Sequence, residues 1–214
     1  MARRVHFLGA SGSGTTTLAQ ALAARLGCAH YDTDHYYWLP SDPPFQHIRE
    51  REARCAMLGA DLQKPGDWVL SGSLCGWGDI YIPLFDLVVF LWIPHDLRMA
   101  RLAAREVARY GAAIEPGGAM HAASVAFMQW AAGYDEGGLE IRSLRIHNDW
   151  LAALPGPMLR LEDAATVDDN LAAVLRALPP PGLSHSRESA PASGPSGAAF
   201  PARQDAGGAT TTSS

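Results

Sequence analysis

The chain has 214 residues, 48% of them hydrophobic, which suits one soluble domain of ordinary size with a full core. A net charge of −5 argues against a nucleic-acid or anionic-membrane partner, since both select basic surfaces. Cys28, Cys55 and Cys75 lack C-x-x-C spacing, so reduced thiols are expected in place of a disulfide frame or a zinc site.

Taken in order, Arg3-Arg4 precede an apolar run, Val5 to Leu8, that reads as a strand. The run is too short for a signal peptide, and no later stretch is long enough to span a membrane. A cytoplasmic protein is therefore expected. Glycines at 9, 12 and 14 follow, then Thr15-Thr16-Thr17 and a helix from Leu18 to Leu26, closed by Gly27. Residues 28 to 31 form a short second strand that delivers Asp32-Thr33-Asp34. Residues 35 to 47, rich in aromatics and prolines, read as a loop. Helical character runs from Ile48 to Leu62, and a third strand, Trp68 to Ser71, ends in the glycine-rich turn 72–78.

The strongest strand is Leu87 to Trp92, an unbroken apolar run of the kind buried on both faces of a parallel sheet. Pro94 opens a helix reaching about Tyr110. Residues 111 to 138 carry Pro116-Gly117-Gly118 and Gly137-Gly138 and fit a mobile insertion, although 122–132 has helical character. A helix from about Leu139 to Leu154, a strand at Pro157 to Leu161 and a helix from Val167 to Leu178 complete the ordered pattern. Strands alternate with helices throughout, which predicts an α/β domain over 1–178 with a parallel sheet. From Pro179 the composition turns to Pro, Ser, Gly, Ala and Thr, and 179–214 is expected to be a disordered tail.

Strand, glycine loop and helix form the context of a phosphate-binding loop. The pattern G-x-x-x-x-G-K-[ST] is met at Gly9, Gly14 and Thr16 and fails at Thr15, where a lysine belongs. Lys64 is the only lysine in the chain, so none stands nearby in sequence to replace it. The loop Gly9-Ala10-Ser11-Gly12-Ser13-Gly14-Thr15-Thr16 can still turn several N–H groups into one concavity, and the helix that follows adds unpaired donors. Thr16 stands where a hydroxyl ligates Mg²⁺. A glycine-serine turn with a threonine cap is the plainer alternative.

Asp32 and Asp34 come at the C-terminal end of the second strand, the sheet edge to which the first strand also delivers its loop. One carboxylate there suits Mg²⁺, and the other suits an acceptor hydroxyl; turn-forming aspartates are the alternative. Arg98, Arg101, Arg105 and Arg109 share a helix face by their spacing. Arg142 and Arg145 recur later, while Arg49 and Arg54 precede the third strand. Tyr36, Tyr37, Trp38 and Trp77 flank the same region and either stack on a planar ligand or pack. His35, His121 and His147 show no shared metal-ligand spacing.

The loop, Asp32-Thr33-Asp34, the glycine-rich turn after the third strand and the arginine-bearing helix together resemble the small P-loop kinases. That group includes shikimate, gluconate, adenylate and cytidylate kinases. Asp32-Thr33-Asp34 looks most like shikimate kinase, and the lysine-free loop is similar to that of some archaeal-type cytidylate kinases. The resemblance implies a P-loop NTPase fold, an open five-stranded parallel sheet in the order 2-3-1-4-5 flanked by helices. It implies ATP and Mg²⁺ as cofactors and a small-molecule acceptor, in a monomer or homodimer. Gly9 to Thr16, Arg142 and Arg145 would hold the nucleotide, and Thr16 and Asp32 the metal. Asp34, Arg49, Arg54 and Gly72 would meet the acceptor. Asp32, Asp34, Arg101 and Arg105 would serve catalysis, with 111–138 as a lid. The chain departs from the adenylate-kinase pattern at Ser71, where an aspartate would close the third strand. A non-catalytic nucleotide-binding sensor of the same fold is the competing expectation.

Overall fold

The computed structural model describes residues 3–162 and 165–179; the expected tail lies outside them, apart from Pro179. Five strands make a single parallel sheet: β1 (Arg4–Gly9), β2 (Ala29–Asp32), β3 (Trp68–Ser71), β4 (Leu87–Leu91) and β5 (Met158–Leu161), in the order β2-β3-β1-β4-β5. All four pairings are parallel, so the expected sheet and its order are those observed. Seven helices flank it among the described residues: α1 (Thr15–Leu26), α2 (Thr33–Tyr37), α3 (Arg51–Leu62), α4 (His95–Tyr110), α5 (His121–Ala132), α6 (Leu144–Ala152) and α7 (Val167–Ala177).

Period-2 alternation divides each strand between two cores. Val5, Phe7, Val69, Leu87, Val89 and Leu91 face α1 and α7, packing on Leu18, Leu22 and Val174. Leu8, Val88 and Phe90 face α6, and Trp68 and Leu70 face an aromatic cluster with Leu58, Leu62 and Trp77. His6 is the polar residue buried within β1. It is fully buried, stacked 4.8 Å from Phe85, and desolvation lowers its pKa to about 3, so it is neutral at ordinary pH.

Among the boundaries that differ from expectation, three do so for evident local reasons. The segment expected as a loop opens with α2, because the Asp32 carboxylate accepts the Asp34 N–H at 3.0 Å and caps a short helix. The helix expected from Leu139 begins at Leu144, where Ser143 Oγ caps the Ile146 N–H at 3.2 Å. The helix expected from Ile48 begins at Arg51, after Trp38 and Ile48 have paired in an antiparallel bridge. Within 111–138 the chain forms a 3₁₀ turn, Gly111–Ile114, and α5. α5 packs on α4, with buried Ser124 donating to Glu106 Oε2 at 2.9 Å.

Candidate functional site

Between β1 and α1 the chain must turn sharply, and it does so on Gly12 (φ 86°) and Gly14 (φ 99°), a region that side chains with a Cβ avoid. Gly9 has the other reason to lack a side chain, since a Cβ there would lie 2.4 Å from Leu91 O. The first turn of α1 carries no acidic residue, and Gly14 supplies no side-chain cap. Its first N–H groups are therefore left for an anion, at the positive end of the helix dipole.

The loop forms one wall of a cleft of about 460 Å³ at the C-terminal edge of the sheet. Asp32, Asp34, Gly72, Arg101, Arg105 and Arg142 line it with Gly9 through Thr16. Gly72, at φ 103°, directly follows β3, and a Cβ on it would run into Thr33 Oγ1.

Oxygen donors gather beside the loop. Thr16 Oγ1 donates to Asp32 Oδ2 at 2.9 Å, and Ser71 Oγ donates to the same oxygen at 3.0 Å. A hydroxyl beside a carboxylate suits a hard cation such as Mg²⁺, which takes oxygen ligands and keeps few protein contacts when phosphates complete its shell. Among the described residues no group of three or more His, Cys, Asp or Glu side chains gathers into a metal site. Thr16 and Asp32 thus fit Mg²⁺ that arrives with phosphate, and do not form a self-sufficient metal cage.

Asp34 remains solvent-exposed within the cleft. Enclosure by the cleft walls, and then the charge of Asp32, push its carboxyl above the ordinary carboxylate value; Arg142, Arg105 and a hydrogen bond with Trp38 oppose the shift. Arg142 is nearly buried, donates to Ser11 Oγ at 2.8 Å, and lies 5.0 Å from the Trp130 ring centre. Burial lowers its pKa to about 10, with Asp34 holding it up, so it stays a cation at neutral pH. It spans the phosphate loop and the second aspartate.

The raised pKa of Asp34 carries a stability consequence. A carboxyl that binds its proton more tightly when folded contributes stability only at acid pH, and loses it as pH rises through the folded pKa. At pH 7 the ionised side chain is a net cost. Asp34→Asn is therefore expected to melt higher than wild type at pH 7, by no more than about 2–4 °C, because solvent screens an exposed group. The gap should close as the pH is lowered below the folded pKa. A lower melting temperature for the variant at pH 7 would refute the strained carboxylate.

The arginines of α4 divide. Arg101, Arg105 and Arg109 line the cleft, and Arg101 Nη1 comes within 3.8 Å of where a Cβ on Gly14 would stand. Arg98 turns inward instead and is 1% exposed; it donates to Asp135 Oδ2 and to Ala131 O, both at 2.7 Å. A carboxylate and a carbonyl satisfy its charge, so it joins the structure and not the cleft wall.

Three other expected ligands stand apart from the cleft lining. The Arg49 guanidinium donates to Tyr36 O at 3.0 Å and Trp38 O at 3.2 Å, at the carbonyl end of α2. Arg54 lies over the rings of Tyr37 and Trp77, at 4.4 and 5.1 Å. Arg145 is exposed beside Glu140. Carbonyls and aromatic faces occupy guanidinium groups as well as substrates do, and sequence spacing does not distinguish them. Of the aromatic residues, Tyr36, Tyr37 and Trp77 pack in the core, with Tyr36 donating to Asp61 Oδ2 at 2.6 Å. Trp38 both packs and reaches the cleft. His147 is buried, with Tyr134 Oη 2.7 Å from Nδ1 and Ser73 Oγ 3.3 Å from Nε2.

Sequence reasoning missed Phe45, Phe127 and the segment Ala165 to Val167 with Asn170, all of which line the cleft. The last group had a signal. It follows β5 at the same sheet edge as the loop, and Thr166 is a helix N-cap, accepting the Asp169 N–H at 3.1 Å.

A glycine loop and a pair of strand-end aspartates on a parallel 2-3-1-4-5 sheet define the fold of the P-loop small-molecule kinases. The chain belongs to the AAA domain family AAA_18, whose model matches residues 5–114. It is 46% identical over 175 residues to the uncharacterized protein YqaC of Bacillus subtilis (strain 168), covering 82% of this chain and 97% of that protein. Among solved structures it is similar to the shikimate kinase of Acinetobacter baumannii in complex with shikimate: TM-score 0.52, 14% identity, 82% of this chain and 92% of the other. A shikimate kinase from Bacteroides thetaiotaomicron also matches, with TM-score 0.48 and 18% identity over 81% of this chain and 96% of the other. No helix among the described residues is long and apolar enough to cross a membrane.

Proposed function

We propose that the protein is an ATP-dependent kinase that transfers the γ-phosphoryl group to a small acceptor, either a nucleoside monophosphate or a hydroxylated metabolite. The observation that carries this reading is the convergence on one cleft of the phosphate loop, Asp32, Asp34 and four arginines, Arg101, Arg105, Arg109 and Arg142. Likeness of fold to a shikimate kinase in complex with shikimate supports a small acceptor. In this reading Gly9 to Thr16 hold the phosphates, and Thr16 and Asp32 hold Mg²⁺. The ion would neutralise phosphate charge.

Phosphoryl transfer asks the protein mainly for positioning and charge stabilisation. The acceptor oxygen bonds to the γ-phosphorus as the bond to the β–γ bridging oxygen breaks, and ADP leaves. Asp34 orients the acceptor hydroxyl and takes its proton. Arg105 and Arg142 keep Asp34 ionised enough to do so, and with Arg101 they offset charge on the transferring oxygens. Residues 111 to 138, which follow α4, act as the lid that excludes water.

Thr15 in place of the loop lysine favours a second reading, a nucleotide-binding sensor without transfer. A phosphoryl-transfer screen with Mg-ATP against nucleoside monophosphates and hydroxylated acids, with calorimetric nucleotide binding alongside, separates them. Transfer to any acceptor establishes the kinase, and binding without transfer establishes the sensor. Absence of binding at millimolar nucleotide overturns both.

A further inference from the structure

On the sheet face that α1 covers, polar side chains meet beside the apolar core. His30 and Asp32 are two residues apart on β2 and so project to the same side, and the register pairs Asp32 with Ser71 of β3. Ser71 is fully buried. Its Oγ lies 2.9 Å from His30 Nε2 and 3.0 Å from Asp32 Oδ2. Thr16 Oγ1 donates to that same Oδ2 at 2.9 Å, and Asp32 Oδ1 accepts the Asp34 N–H at 3.0 Å.

Counting protons fixes the direction of the chain. An ionised carboxylate only accepts, so the single hydroxyl hydrogen of Ser71 goes to Asp32. The serine oxygen must then accept from His30, and Nε2 must carry a proton. It does so in the imidazolium and in one neutral tautomer, so the link does not depend on the charge of the ring. His30 thereby sets where the Ser71 hydroxyl points. Without that donor the hydroxyl can swing away, and Asp32 Oδ2 loses one of its two hydroxyl partners.

We propose that His30 is a positioning residue: acting through Ser71, it fixes the Asp32 carboxylate and the Thr16 hydroxyl in the arrangement that receives the Mg²⁺–nucleotide. The inference rests on the reading of Thr16 and Asp32 as metal ligands given above. Partners that orient metal ligands typically govern metal affinity by 10–100-fold.

The test uses the full chain and calorimetry of ATP, with Mg²⁺ and with EDTA, so that the readout is the gain in ATP affinity that Mg²⁺ confers. His30→Ala should reduce that gain about tenfold while affinity in EDTA stays unchanged. His30→Gln, whose amide nitrogen can still donate, should recover most of it. Ser71→Ala should match His30→Ala, and the double variant should add nothing further. Asp32→Asn, run in parallel, should abolish the gain. If Asp32→Asn leaves it intact, the metal reading fails and this inference with it. If Asp32→Asn abolishes it and His30→Ala and Ser71→Ala do not reduce it, the positioning role alone fails. Equal loss of affinity with and without metal, or a glutamine variant no better than alanine, also overturns the proposal.

Discussion

Arg101→Ala is expected to lower phosphoryl transfer about a hundredfold, the cost of one transition-state charge contact of on the order of 3 kcal/mol. A loop lysine would place one positive charge on the β- and γ-phosphates; Thr15 places none. Of the α4 arginines, Arg101 comes nearest the vacant role, with Nη1 close beside Gly14, whereas Arg105 acts on the charge of Asp34. Thr15→Lys should change wild-type turnover little, because the charge is already supplied. In the Arg101→Ala background the same lysine should restore about tenfold, giving a strongly non-additive cycle. Steady-state kinetics on the four proteins, with the acceptor identified by the screen, decides the matter. Additive effects would refute compensation, and a turnover insensitive to Arg101 would assign the charge to Arg142, the buried arginine that already bonds Ser11.

What was legible in the sequence was whatever depends on neighbours in the chain. The β1–loop–α1 unit, the unbroken apolar β4 and the regular alternation of elements follow from local periodicity and glycine placement. Resemblance to the small P-loop kinases then supplied the strand order. Residues brought together by folding were less accessible. Arg49, Arg54 and Arg98 look like ligands because guanidinium suits anions, yet in the fold Arg49 bonds carbonyls, Arg54 lies over aromatic faces and Arg98 pairs with Asp135. Ser71 appeared as a missing carboxylate, and only the β2–β3 register shows it bonded to Asp32 and His30. Arg142 was legible as a cation but not as the side chain linking Ser11 to the field of Asp34, since 131 residues of sequence separate it from Ser11.

Arg98→Met should be the most destabilising of the arginine substitutions, by about 3–5 kcal/mol, because it strands the partner of a buried ion pair. Arg98 is almost fully buried, and its guanidinium ties α4 to the end of α5 through Ala131 O and Asp135. The remaining Asp135 oxygen accepts from Trp92 Nε1 at 2.8 Å, which joins the same knot to the end of β4. Asp135 is 22% exposed, so part of the cost is relieved by water and the lower end of the range is the expectation. At about 2–4 °C per kcal/mol for a chain of this size, the melting temperature should fall on the order of 10 °C. The knot also backs the phosphate loop, since a Cβ on Gly12 would lie 2.9 Å from Arg98 O and 3.2 Å from its Cγ. Nucleotide affinity should therefore weaken together with stability, in contrast to Arg101→Ala, which should spare stability. Adding Asp135→Asn to Arg98→Met should recover part of the loss, because the neutral amide no longer leaves a charge without its partner. A double variant as unstable as the sum of the two singles would show that packing, and not the stranded carboxylate, sets the cost.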